Sequence, residues 1–151
     1  MALTKVTNSL LDLPVKTFGT SSIMIGDTTT GTIDAANYNV GVGVDVFAAL
    51  TTGDGNVALG YQALSSNTTG NNNIAIGRGT GDAVTTTFGL TAIGHGAAGA
   101  TTAGVTTAVG YTALTANTSG TFNTGLGAYA LQANTTASYN TAVGYVSMYA
   151  N

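Results

Sequence analysis

The sequence predicts an all-β fold: a parallel β-solenoid of about eight stacked 17-residue coils. Three observations carry the expectation. A glycine-terminated motif, N-x-A-aliphatic-G, ends at Gly26, Gly43, Gly60, Gly77, Gly94, Gly110, Gly127 and Gly144, with successive spacings of 17, 17, 17, 17, 16, 17 and 17; self-similarity at a fixed short period is the signature of stacked repeats. Only 6% of the 151 residues are charged, against roughly 25% in ordinary domains. Helices wet their outer faces with Lys, Glu, Arg and Gln, whereas this chain uses Thr, Asn and Gly and has no Glu at all, a composition that suits strands and turns. Asn, Thr and Gly clusters between the motifs, as in Asn67-Thr68-Thr69-Gly70 and Asn117-Thr118-Ser119-Gly120, supply side-chain-capped turns and left-handed positions.

Taken in chain order, residues 1–21 lie outside the repeat and hold Lys5, Lys16, the single Pro14 and the apolar cluster Leu10, Leu11 and Leu13. They read as a separate attachment segment, with those three leucines as candidate contacts. Residues 22–151 form the repeat domain, which ends within a coil: Asn151 falls in the column of Asn67, Asn117 and Asn134. An Asn opens most units (Asn39, Asn56, Asn73, Asn123, Asn140) and is placed to stack as a hydrogen-bonded ladder. The residue before each motif glycine is a branched aliphatic, Ile25, Val42, Leu59, Ile76, Ile93, Val109, Leu126 or Val143, and is expected to face a dry interior. The residue before that is Ala or Gly in every copy but Met24; alternation along a strand sends it to the opposite face, where another backbone approaches closely. The glycine suits a bend or a contact that a Cβ would block. A second short strand is expected at Tyr61–Leu64 and Tyr111–Leu114, with a large fourth residue (Phe47, Leu64, Leu114, Leu131, Met148). At ~4.8 Å per rung the stack is on the order of 40 Å long.

The same composition excludes several function classes. A net charge of −3 with three cations, Lys5, Lys16 and Arg78, offers no phosphate-tracking surface, so no nucleic-acid partner is expected. No run of about 18 apolar residues exists, so no membrane insertion is expected. The absence of Cys removes thiolate metal sites, and the start MALTKVTNSLLDLPV, broken by Asn8, Ser9 and Asp12, lacks the apolar core of a signal peptide. The Asp residues form no spaced pair or ligand loop, and His95 is the only His. Catalysis needs convergent polar groups, so the sequence predicts no enzyme, cofactor or metal. Tyr61, Arg78, His95, Tyr111 and Tyr145 share the column after the motif glycine and are the candidate surface-contact residues. Asn67, Asn117 and Asn134 match N-glycosylation acceptors, but they recur because the turn recurs. An ice-binding face would need a regular Thr array; Thr91, Thr107, Thr124 and Thr141 fill one column in only half of the copies.

Each coil holds two or three large apolar side chains, so its core barely offsets the entropy of ordering 17 residues. No formally charged residue follows Asp82, and a lone solenoid with a bare flank would aggregate. A homo-oligomer, a threefold fibre, is the expectation.

The units NTAVGY (Asn140–Tyr145), NVALGYQAL (Asn56–Leu64) and TTAVGYTALTANTSG (Thr106–Gly120) resemble the head repeats of trimeric autotransporter adhesins, repeats also found in bacteriophage tail fibre proteins. The opening MALTKVT resembles the start of some phage fibre proteins. The resemblance covers roughly residues 22–151 and implies a left-handed parallel β-roll, packed or intertwined as a homotrimer with the small-residue face towards the threefold axis. The adhesin pattern also includes a signal peptide, a heptad stalk and a membrane anchor, none of which this sequence contains; a phage structural protein, released by lysis, requires none of them. The expected function is therefore a structural fibre protein of a bacteriophage appendage such as a tail fibre. It would be located on the virion, docked to other virion or fibre proteins through residues 1–21, and would present a surface to host glycans. The alternative is a head fragment of a bacterial trimeric surface adhesin.

Overall fold

The computed structural model describes residues 15–19, 21–26 and 35–150. Among these residues every strand joins one nine-stranded sheet in sequence order: β1 (Val15–Phe18), β2 (Ser22–Ile25), β3 (Val40–Val42), β4 (Val57–Leu59), β5 (Ile74–Ile76), β6 (Thr91–Ile93), β7 (Thr107–Val109), β8 (Thr124–Leu126) and β9 (Thr141–Val143). From β2 to β9 each pairing is parallel and in register: Ile23 with Val40, Val40 with Val57, Val57 with Ile74, and so on to Thr124 with Thr141. This is a parallel β-solenoid of about seven turns, with no helix among the described residues. The one 16-residue step leaves the register intact, since Thr91 still faces Thr107; the shorter turn before β7 absorbs the deletion. β1 runs antiparallel to β2, Val15 opposite Ile25, and covers the sheet's first edge.

The expected inside and outside of the strand are reversed. The small column is the buried one: Met24, Ala58, Ala75, Ala92 and Ala108 are fully enclosed. The branched aliphatics Ile25, Val42, Leu59, Ile76, Ile93, Val109, Leu126 and Val143 face outward, exposed or half-buried. The reason is the opposite wall. Phe47, Leu64, Leu114 and Leu131 are fully buried in the lumen, and a Cβ on Gly41 would already lie 3.1 Å from the Phe47 ring and 3.0 Å from Val46. A coil this thin has room for one wall of large side chains, so the facing strand is Ala or Gly in every coil after the first, where Met24 stands. The small-residue face therefore cannot line a threefold axis; it lies inside one chain.

The expected second strand is also absent, since Tyr61–Leu64 and Tyr111–Leu114 are turns. Gln62 and Leu64 sit at φ 58° and 50°, Thr112 and Leu114 at 48° and 52°, left-handed values that no strand accommodates. Rungs still bond to one another there, as the Leu114 amide does to the Ala130 carbonyl at 2.9 Å.

The Asn ladder forms where expected. Asn39 Oδ1 accepts from the Asn56 backbone amide at 2.8 Å and from its Nδ2 at 3.0 Å, and Asn56 Oδ1 accepts the same pair from Asn73. Leu90 interrupts the ladder, and its branched end packs over Gly81, whose missing Cβ would lie 3.1 Å away. A threonine column on another corner adds a second ladder: the hydroxyls of Thr51, Thr68, Thr102 and Thr118 donate to the carbonyls of Thr68, Thr85, Thr118 and Thr135.

Candidate functional site

After each motif glycine the chain turns outward, and the next residue occupies an exposed corner beside the sheet. Five of the residues in that column are Tyr61, Arg78, His95, Tyr111 and Tyr145, all exposed. Stacking of the rungs brings them into contact. The Arg78 guanidinium lies over the Tyr61 ring, 5.8 Å from its centre. His95 stacks on Tyr111 with ring centres 5.2 Å apart and planes 13° from parallel. Tyr129 then bridges Tyr111 and Tyr145 through edge contacts at 5.4 and 5.8 Å. Sequence reasoning missed Tyr129 because it sits one residue beyond the column, in the copy where Ala128 takes the tyrosine position; a Tyr displaced by one within a strict repeat was the available signal. A shorter aromatic stack, Phe122 on Tyr139 at 5.1 Å, marks the corner on the other side of the strand.

Beside the column lies a solvent-open cavity of about 450 Å³, lined by Gln62, Arg78, Asp82, His95 and Thr115 together with Gly79, Gly96, Gly99 and Ala100. It exists because the repeat lapses. The position two after the motif glycine is Asp45, Gln62, Thr112, Tyr129 or Val146 in five coils, but Gly79 and Gly96 in two consecutive ones. Three residues further on stands Gly99, where the next coil has Thr115. A Cβ on Gly99 would lie 3.3 Å from the Gly96 carbonyl oxygen and 3.4 Å from both Asp82 Oδ1 and Thr115 Oγ1, so three oxygens converge on one point. Thr115 Oγ1 donates to the Gly96 carbonyl at 2.7 Å.

Burial raises the Asp82 carboxyl above the ordinary carboxylate range, opposed in part by hydrogen bonds from the Asp82 and Ala83 backbone amides. Desolvation disfavours the charged form, and amide donors favour it. The sequence shows Asp82 without a spaced acidic partner and has no means of joining it to His95 and Gln62, which lie in neighbouring coils.

The remaining candidates separate cleanly. Asn67, Asn117 and Asn134 are buried, with Nδ2 bonded to the turn carbonyls of Gly70, Gly120 and Ala137, so they close turns and offer no amide to a glycan. Leu10, Leu11 and Leu13 lie outside the described residues. No group of three metal-ligating side chains occurs among the described residues, and none of the described helices is long and apolar enough to cross a membrane, since there are none. Thr91, Thr107, Thr124 and Thr141 do align on the outer sheet face, but beside the aliphatics of β6–β9 and not across β2–β5.

Compared with known proteins, the chain matches no family model, no curated protein and no solved structure.

Proposed function

We propose that this chain is shaft material of a fibrous appendage, a bacteriophage tail fibre, that works as a homotrimer and presents a host-contacting surface. The observation that carries the reading is the outer face of the sheet. Two columns run its length: Ile23, Val40, Val57 and Ile74 continued by Thr91, Thr107, Thr124 and Thr141, and beside them the aliphatics from Ile25 to Val143. Strands of three residues over eight rungs give a flat face of about 400 Å², aliphatic along one whole column and along the first four rungs of the other, a continuous stripe of the kind that is often functional. Three such faces turned towards one axis close a dry triangular core, which supplies the apolar burial that a single thin coil lacks. The axis-facing surface is thus the aliphatic one.

In that assembly the aromatic column and the cavity beside it stay at the outer corners, available to a host surface, and residues 1–21 join the shaft to other virion proteins. The left-handed hand of the roll belongs to the same proposal and follows from the resemblance in the repeat motifs. The first test is the native mass by light scattering. A mass of three chains is the expected result; a monomer at micromolar concentration would overturn the trimeric fibre.

A further inference from the structure

The described part of the chain is sparing with charge, yet Arg78, Asp82 and the single His95 line one cavity. Structural stacking does not require this. The other coils from Gly43 onward put a side chain at the second position of this corner: Asp45, Gln62, Thr112, Tyr129 or Val146. Two successive coils place glycine there, Gly79 and Gly96, and bring the Asp82 carboxylate, the Arg78 guanidinium and the His95 imidazole to one cavity. Asp82 is held by backbone amides and Arg78 by the Tyr61 ring, rather than by each other. Both are left with hydrogen-bonding capacity directed at the cavity.

We propose that this cavity binds one neutral hexose unit of a surface glycan, with the chain of sugars continuing along the aromatic column. The inference rests on the reading of the chain as a host-contacting fibre. The chemistry fits a sugar because donors and acceptors alternate around the rim. Asp82 accepts from paired hydroxyls, Arg78 and Gln62 donate, and Thr115, whose proton goes to the Gly96 carbonyl, accepts. The volume of about 450 Å³ falls within the range of small-ligand sites. Of the aromatic column His95 alone lines the cavity, with one ring face stacked on Tyr111; its free edge and the exposed Tyr111 beyond it supply the apolar surface that the C–H face of a pyranose covers. Arg78 and Asp82 together leave the cavity with no net formal charge; a uronate could reach Arg78 only with its carboxylate beside that of Asp82, which Coulomb repulsion opposes, so we take the sugar to be neutral.

The test uses the full chain and saturation-transfer NMR with methyl glycosides and tetrasaccharides of glucose, galactose and mannose, and with galacturonic acid as the charged control. At least one neutral sugar is expected to receive saturation. Gly79→Gln closes the cavity by copying the Gln62 of the preceding coil. It is a mild change to the fold, because Gly79 at φ +59° has nothing within 4 Å of its absent Cβ and Gln62 occupies the same conformation at 58°. Binding should weaken about tenfold or more in Gly79→Gln and in Asp82→Ala, each of which removes a charge-assisted or shape contact. Unchanged melting in Gly79→Gln separates loss of the site from loss of the fold. Silence from every neutral sugar, full binding by Gly79→Gln, or binding of galacturonic acid alone would each overturn the site. Native mass keeps the two readings apart: a trimer that ignores sugars leaves the fibre standing, whereas a sugar-binding monomer leaves the site and removes the fibre.

Discussion

At the motif glycines the backbone runs at φ between +112° and +139°, and each from Gly26 to Gly127 packs against the same glycine of the next coil. A Cβ on Gly110 would fall 2.4 Å from the Gly127 carbonyl oxygen, while one on Gly144 would meet nothing closer than Ser147 at 4.0 Å. Both substitutions to Ala strain the backbone, but only the first also collides. Gly110→Ala should therefore cost about 2 kcal/mol more than Gly144→Ala in urea titrations. Asp82 gives a second test at this scale. Its folded pKa is raised by burial, so the native state binds the proton more tightly than the unfolded chain does. Its contribution to stability is then greatest below the unfolded value and is lost as pH rises through the folded one. Asp82→Asn keeps an acceptor for the two amides and should be at least as stable as the parent at neutral pH. It should also flatten the slope of stability against pH just above 3.8, the ordinary value; a steeper slope in the variant would contradict the assigned cause.

Elements here are ladders rather than strands, and the Asn ladder is the one on which the sequence spoke most clearly. Asn39, Asn56 and Asn73 recur in one column, and a polar residue at a fixed place in a repeat has few uses other than bonding its own copies. Asn56→Ala would strip the enclosed Asn73 backbone amide and Nδ2 of their shared acceptor and remove one of the two donors to the Gly70 carbonyl, which keeps Asn67 Nδ2, at about 3 kcal/mol. Asn140→Ala, near the described end and only half-buried, should cost about 1 kcal/mol or less; equal losses at the two sites would argue against a cooperative ladder. Which strand face is dry was not legible. In Val57-Ala58-Leu59 both faces are apolar, so alternation fixes two sides without saying which is inside. The answer lay outside the strand, in the bulk of Phe47, Leu64 and Leu114 across the lumen. The supposed second strand failed for a related reason: residues such as Leu64 and Thr112 accept left-handed angles that their identities disfavour, because inter-coil hydrogen bonds hold them there.

For the whole molecule, the period predicted the stack, and the exposed column from Tyr61 to Tyr145 was found where the repeat placed it. The cavity was less legible, since it is made by what Gly79, Gly96 and Gly99 lack. If the aliphatic face is the trimer interface, a charge at its centre should dissociate it. Ile74→Asp projects outward from β5 and should shift the light-scattering mass from three chains to one while the coil stays folded by circular dichroism; a trimer that survives would place the contact on another face. The uniform register of one coil upon the next also sets how such a shaft yields to load. Its inter-coil hydrogen bonds lie along the long axis, so tension applied at the chain ends opens them one rung at a time, from the end inward, instead of shearing many at once. Each 17-residue coil released trades a rise of ~4.8 Å for nearly 60 Å of extended chain, an increment on the order of 50 Å. Pulled on, the rod would pay out in steps and act as a shock absorber.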